Sequence, residues 1–597
     1  MSTMSLLLQF CRVIDNRYWK IRMRSFLFIL VICLPGFLGV PVEYSHVEST
    51  AGKGLINCAL CNSIISDIFL GFQNGQTDEE ISAGIGQRCE TLNLYNFKVC
   101  NGTAAIAMPT IRYIYSLGVI EGNICGMLLQ TENCGFSDPG VLEWSVAPSS
   151  VPKPPVTEPA LPPTGSPTLK VLHLSDIHWD PEYLEGSNAV CGDPLCCRAS
   201  SGEVVNATDA AGYWGDRRDC DLPWRTVEKA VAHMAQQHPD TAYIIWTGDL
   251  TPHDTWSTDK DENLMIIDRL MTLIQQYFPT VPVYPTLGNH ESHPVNTFAP
   301  PEITDVEFNT AWLYDEADRQ WARWLPADVS SSVRYGGYYT ALAQPGLRIV
   351  SMNMNYCYIF NYWTYYKSQD PASILTWLNQ VLEDAELAGE KVHILSHIPP
   401  GNLDCWTIFS REFAKIINRF ESTVAAQFYG HTHNDEYKIF YDLEELNRPI
   451  NIAFVAPSLT TSSDNPGYRI YTVDGQRPGS TWAVLDHSSW IMNLTVANAQ
   501  DPSIDPVWFE LYQAKRDYAL TDLSPRSMDA FYQQLVTDDA LFQMYFEHYY
   551  KKSEERLEKG CDIDCRTKLL CFIVTTDPLD QSRCQNISQL LNQHPEF

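Results

Sequence analysis

The 597 residues predict a multidomain chain: a small all-α unit, then a larger α/β domain, then a helical C-terminal extension. Three observations carry that prediction. Residues 54–138 combine six cysteines with apolar residues at helical spacing, a stretch with eight prolines comes next, and from Leu169 onward short apolar runs alternate with helical stretches. That alternation is the pattern of an α/β fold. At ~150 residues per domain the length suits two to four units. The formal charge of −31 excludes nucleic acid as the main partner, because a polyanion needs a basic footprint.

Residues 1–40 read as a signal peptide. Arg12, Arg17, Lys20, Arg22 and Arg24 precede the apolar stretch 26–32, the order of a secretory leader. Pro35 and Gly36 keep that stretch short of a membrane span. The expected location is therefore secreted, lysosomal, or both. Of 18 cysteines, Cys11 and Cys33 fall in the leader, which leaves 16, an even number that suits an oxidised chain. Asn101, Asn206, Asn493 and Asn586 head Asn-x-Ser/Thr triplets and are candidate glycan acceptors in such a compartment.

In the first unit Leu55, Ile56, Ala59, Leu60, Ile64, Ile68 and Phe69 recur at spacings of three and four, as a helix with one buried face requires. A second such run spans 104–117. A core this small needs staples. Cys58, Cys61, Cys89, Cys100, Cys125 and Cys134 are placed to supply them, and their spacing resembles a saposin B-type domain. The resemblance implies bridges Cys58–Cys134, Cys61–Cys125 and Cys89–Cys100, and contact with lipid. Next, "APSSVPKPPVTEPALPPTGSPT" (147–168) favours polyproline II, so residues 145–168 are expected to act as a semi-rigid linker.

In the α/β section the residues at the end of each apolar run are the informative ones. "KVLHLSDIH" ends in Asp176 and His178, "AYIIWTGD" in Asp249, and "VPVYPTLGNH" in Asn289 and His290. "KVHILSH" ends in His397 and "VAAQFYGHTH" in His431 and His433. Ligands bind beyond the carboxyl ends of strands in open α/β sheets, so five candidate strands deliver potential metal ligands to one edge. His431 and His433, two apart, are expected on one face of a strand, converging on a single point.

The order Asp-x-His, Gly-Asp, Gly-Asn-His-Glu, His, Gly-His-x-His resembles the calcineurin-like metallophosphoesterases. It implies a β-sandwich flanked by helices over 169–497, with Asp249 bridging two metals. Asp176, His178 and His433 complete one site, and Asn289, His397 and His431 the other. Imidazole and carboxylate oxygen together suit Zn2+, two per chain, with iron as the runner-up. Purple acid phosphatases differ, with a tyrosine where this chain has Pro252 and a glycine where it has His178. A redox-inert centre is favoured.

The leaving oxygen of a phosphoester needs a proton, and His253 and His290 are the catalytic candidates. The whole order of units, including "GYWGDRRDCDLPW" and "SHIPPGNLDCW", resembles the acid sphingomyelinase family. It implies bridges Cys191–Cys196, Cys197–Cys220, Cys357–Cys405, Cys561–Cys565 and Cys571–Cys584. It also implies hydrolysis of sphingomyelin to ceramide and phosphocholine by a dizinc-activated hydroxide. The substrate would sit in membranes or lipoproteins, reached through the saposin domain at the membrane surface. Two other readings compete: a phosphodiesterase for nucleotides or other soluble phosphoesters, and a lipid-transfer protein. Tyr356, Tyr358, Trp363 and Tyr365 are candidates for a choline site or for core. Residues 498–597 read as the helical C-terminal domain.

Overall fold

The computed structural model describes residues 51–593 apart from 131–133, 135–138, 142, 157–159, 402, 403, 462, 463 and 579. The expected signal peptide, 1–40, with Cys11 and Cys33, lies outside the described residues. The chain divides into two compact units, the division falling between Ser137 and Asp138.

Among its described residues the first unit has four α-helices: α1 (Ala51–Gln73), α2 (Asp78–Thr91), α3 (Phe97–Ser116) and α4 (Glu121–Leu129). Starts are written in the sequence. Thr77 and Glu80 form a capping box at α2, and the Asn96 side chain accepts from the Val99 N–H at α3, satisfying amides that a helix start leaves free. Ile64, Ile68, Phe69, Ile81, Ile85, Val99, Met108 and Ile114 are buried. Disulfides Cys58–Cys134, Cys61–Cys125 and Cys89–Cys100 cross this core. Leu70, Phe97 and Ile120 face outward.

In the second unit β1 (Thr168–Leu174), β2 (Thr241–Trp246) and β3 (Val283–Pro285) run parallel as half of one six-stranded sheet. Next in the chain, β4 (Tyr339–Gln344), β5 (Leu347–Ser351), β6 (Lys391–Leu395), β7 (Val424–Tyr429), β8 (Glu436–Tyr441) and β9 (Pro449–Val455) form a second sheet. Then β10 (Gly467–Asp474), β11 (Val484–Met492) and β12 (Trp508–Gln513) return to complete the first, in the order β12-β11-β10-β1-β2-β3. The second sheet is ordered β4-β5-β6-β7-β9-β8, with β5, β6, β7 and β9 parallel. The sheets face each other: Phe428 of β7 packs edge-on against Tyr471 of β10 at 4.9 Å, and Ser351 donates to the Pro285 carbonyl at 3.0 Å. Strands covered on both sides must read as continuous apolar runs, as β2 and β7 do. Amphipathic helices α5 (Trp224–Gln237), α6 (Lys260–Tyr277), α7 (Ile374–Ala388) and α8 (Thr407–Arg419) connect them.

The start of the proline-rich segment is tied to helices of the second unit. Trp144 packs edge-on against Phe409 at 6.5 Å, Ser149 donates to Glu383 at 2.6 Å, and Arg419 donates to the Val151 carbonyl at 2.8 Å. An extended segment has no ladder to occupy its carbonyls, and Arg419 of α8 takes that of Val151. The C-terminal section is mostly helical, as expected, and also contributes a strand to the first sheet. β12 falls within 498–597, with Trp508 and Tyr512 buried and Phe509 outward, and pairs with β11. Helices come after it: α9 (Pro525–Thr537), α10 (Asp539–Tyr549), α11 (Ile563–Val574) and α12 (Ser582–Gln593). The other five disulfides, Cys191–Cys196, Cys197–Cys220, Cys357–Cys405, Cys561–Cys565 and Cys571–Cys584, are present in this unit.

The core carries a pH response. His393, fully buried, accepts from the Tyr243 hydroxyl at 3.0 Å and donates to the Trp482 carbonyl at 2.7 Å, so it is satisfied as the neutral ring. Burial lowers its pKa to about 4, and likewise that of His548. A histidine depressed in the folded state gives stability that is present above the unfolded pKa of ~6.5 and lost as pH falls towards 4. For His393 the full loss is on the order of 3 kcal/mol. Burial acts oppositely on Glu262, raised to about 7, whose contribution is present at low pH and lost as pH rises through 7. Because Glu262 opposes His393 over this window, the comparison with His393→Gln isolates the histidine: from pH 6.5 to 4.5 the parent's thermal midpoint should drop by more, or rise by less, than the variant's. Identical pH dependence in the two would contradict this.

Candidate metal centre

All five ligand-bearing strands point their carboxyl ends at one place: β1, β2 and β3 of one sheet and β6 and β7 of the other. Close approach there explains the motif glycines. A Cβ on Gly248 would lie 2.3 Å from the Gly288 nitrogen, and one on Gly430 2.0 Å from Ser175 Oγ. The backbone is unusual as well. Asp176 (φ 50°), His178 (42°), Asp249 (56°), His431 (75°) and His433 (63°) are all left-handed, a region costing non-glycine residues ~1–3 kcal/mol each. The expected strand placement of His431 and His433 is thereby corrected. β7 stops at Tyr429, both histidines have left the extended region, and the alternation rule no longer applies. The two rings go to different groups.

One group is Asp176, His178 and His433, and another Asp249, His397 and His431. His178 donates from Nδ1 to the Thr251 carbonyl at 2.7 Å, which leaves a lone pair on Nε2. That atom lies 3.2 Å from His433 Nε2 and 3.5 Å from Asp249 Oδ2. His397 likewise donates from Nδ1 to the Thr247 carbonyl at 2.7 Å. Its Nε2 is 3.1 Å from Asp249 Oδ2, 2.9 Å from Asn289 Oδ1 and 3.1 Å from His431 Nδ1. Asn289 donates its amide to Asn296 at 2.9 Å, so its oxygen is the atom turned inward.

Lone pairs thus face lone pairs in a buried space, an arrangement that repels unless a cation sits between them. Ligands on a tetrahedron with bonds of ~2.0–2.1 Å stand roughly 3.3 Å apart, and these separations fit. Asp249 Oδ2 is close to an imidazole of each group, which suits a bridge. Burial alone would raise the Asp249 carboxyl, but His397 and His290 hold it well below the ordinary range. Conversely burial would lower His397, and Asp249 with Asp176 and Glu291 outweighs it, raising the ring to about 9; a cation would take the place of that Nε2 proton.

The two candidate proton donors lie alongside. The His253 ring is 3.9 Å from the His178 ring and 4.7 Å from that of His290. His253 donates from Nδ1 to Asp221 Oδ1 at 2.8 Å and from its backbone N–H to Oδ2 at 2.8 Å. Burial opposes its charge, yet Asp221, with Asp249 and Asp176 behind it, outweighs burial and the pKa is raised. Burial lowers His290 to about 4, and its backbone N–H donates to Asp249 Oδ1 at 2.9 Å. Sequence reasoning missed Asp221 as a site residue: it lies within "GYWGDRRDCDLPW", a stretch read only for its family resemblance, 32 residues from its partner. It also missed Asp404, whose carboxylate is 3.5 Å from His431 Nε2 and orients that ring.

Of the aromatic candidates, the Tyr358 ring meets the His431 ring edge-on at 5.3 Å. Tyr356 and Trp363 are core, and the Tyr365 hydroxyl is bonded to the Ile359 carbonyl. Among the sequons Asn206 and Asn586 are exposed and Asn101 is half-buried. Asn493 is half-buried and donates to Glu554 at 3.0 Å.

A calcineurin-like phosphoesterase model matches residues 169–435, and one for the acid sphingomyelin phosphodiesterase C-terminal region matches 448–590. A sphingomyelin phosphodiesterase of Bos taurus is 38% identical over 556 residues, covering 92% of this chain and 87% of the relative. The chain belongs to the sphingomyelin phosphodiesterase family. Other members agree: the Homo sapiens sphingomyelin phosphodiesterase is also 38% identical, over 91% of this chain and 85% of its own. An acid sphingomyelinase-like phosphodiesterase 3b of Mus musculus is 32% identical over 67% of this chain and 86% of its own. This family member is accordingly a hydrolase with a metal-binding group of histidines and aspartates.

Proposed function

We propose that the chain hydrolyses sphingomyelin to ceramide and phosphocholine at a two-zinc site, with the N-terminal helical unit engaging the lipid. The observation that carries the reading is the single carboxylate oxygen, Asp249 Oδ2, placed between imidazoles of two ligand groups. Asp176, His178 and His433 would hold one ion; Asn289, His397 and His431 would hold the other; Asp249 would share both. Two such ions supply a water acidic enough to attack phosphorus and positive charge beside the phosphoryl oxygens. As the new P–O bond forms and the bond to ceramide breaks, the departing alkoxide takes a proton, and His253, fixed by Asp221, is oriented to give it. His290 would then contact a phosphoryl oxygen.

Lipid is favoured over a soluble phosphoester because similarity to relatives named for sphingomyelin reaches 92% of the chain, against 69% for a Mus musculus relative named as a cyclic GMP-AMP phosphodiesterase. The outward Leu70, Phe97 and Ile120 of the N-terminal unit give it apolar surface to bury in a bilayer. Eight disulfides support an oxidising destination, secreted or lysosomal. Turnover of sphingomyelin liposomes and of ATP, measured side by side, tests the reading; activity on ATP alone would refute it. Exposed apolar side chains contribute ~1.5–3 kcal/mol each when fully buried. The double substitution Leu70→Asp with Ile120→Asp should thus cost roughly a hundredfold or more on liposomes and leave a water-soluble nitrophenyl diester unaffected. Equal losses on both would assign the unit a folding role instead.

A further inference from the structure

α10 ends at Tyr549, and soon after it Lys551 (φ 47°) and Lys552 (φ 57°) are both left-handed. Such strain persists only where the surroundings over-determine it. Here it turns a whole lysine inward: Lys551 is completely buried. Its Nζ donates to Ser458 Oγ at 2.7 Å and to the Ser458 carbonyl at 3.3 Å. Asp464, at 4.0 Å, is its ion-pair partner. Asn465 donates to the Lys551 carbonyl at 3.0 Å and the Lys552 carbonyl at 3.2 Å, clamping the turn. An apolar side chain would fill the same space without the cost of burying an ammonium, so the charge is retained for what it grips.

What it grips is the back of the metal centre. The Ser458 N–H donates to the His433 carbonyl at 3.2 Å, that of Leu459 to Ser175 at 3.0 Å, and that of Thr460 to Asp176 at 2.9 Å. The Thr460 hydroxyl donates to Asp221 Oδ1 at 3.1 Å. Residues 458–460 therefore touch the backbone of two ligands of one group and the carboxylate that holds His253. α10 adds a direct contact, the Tyr549 carbonyl accepting from the Asp435 N–H at 3.0 Å.

We infer that Lys551 is a positioning residue through which the C-terminal helical region sets both the Asp176–His433 side of the metal centre and the Asp221–His253 pair. The inference rests on the two-metal reading. Its test uses the full-length protein and the variants Lys551→Met, Ser458→Ala and the double variant. Zinc per chain is measured before and after dialysis against a chelator, with kcat and KM on a nitrophenyl diester and the thermal midpoint.

In Lys551→Met, kcat should fall ten- to a hundredfold with KM within twofold. After dialysis it should keep one zinc where the parent keeps two, and added zinc should restore part of kcat. Ser458→Ala, which keeps the lysine stem in place, should lose at least threefold in kcat. The double variant should be no worse than Lys551→Met, because both changes act through one contact. Unchanged kcat and zinc retention in Ser458→Ala, or strictly multiplicative losses in the double variant, would overturn the inference, even if Lys551→Met fails to fold. A parent protein that never holds zinc would instead sink the metal reading itself.

Discussion

Asp249→Ala should lower turnover by on the order of a thousandfold or more and strip both metals, whereas His431→Ala should remove only one. The asymmetry comes from position. Asp249 Oδ2 is 3.5 Å from His178 Nε2 and 3.1 Å from His397 Nε2, so one side chain serves both ligand groups; His431 reaches only the His397 side. Oδ1 has its own task, accepting from the His290 N–H at 2.9 Å, and its removal also frees the loop carrying Asn289. Of the named ligands Asp176 would be the one carboxylate left beside four imidazoles, too little negative charge to balance two buried dications. Elemental analysis of purified parent and variants, paired with turnover of a soluble diester, checks the claim. Two metals retained by Asp249→Ala would end the case for a bridging carboxylate, and one lost by both variants would reassign the bridge.

Much of this site was legible because its chemistry is concentrated at strand ends, where an apolar run stops and a ligand comes next. The strand periodicity rule still misled at His431 and His433. Their φ angles of 75° and 63° are set by a loop pressed against Asp176, whose carboxylate accepts from the His431 N–H at 3.0 Å, and no local pattern encodes that. Asp221 was invisible for another reason: an aspartate gains meaning only from the histidine it faces, and chain connectivity does not announce the pairing. Lys551 is the extreme example. Beside Lys552, ahead of "SEERLEK", it reads as one more solvated charge, and only the left-handed turn buries it. β12 was missed because "VWFELYQ" is too short for either period to dominate, and its strand state depends on pairing with β11.

His253→Gln should reduce sphingomyelin hydrolysis by ~10²–10⁴-fold, the usual worth of a placed proton donor, while costing a nitrophenyl diester no more than about tenfold. The contrast is diagnostic because ceramide departs as an alkoxide that needs a proton, whereas nitrophenolate is stable enough to leave without one. Asp221 makes the assignment specific. Its two oxygens hold Nδ1 and the backbone N–H of His253 at 2.8 Å each, which fixes the ring and favours its charged form. Asp221→Asn keeps the shape but not the charge, so it should show the same substrate contrast at a smaller amplitude, roughly tenfold. His290 differs: burial lowers its pKa to about 4, and a neutral ring suits contact with a phosphoryl oxygen better than proton donation. His290→Gln should accordingly slow both substrates alike. If His290→Gln shows the leaving-group contrast and His253→Gln does not, the roles are exchanged; if neither does, the proton comes from elsewhere.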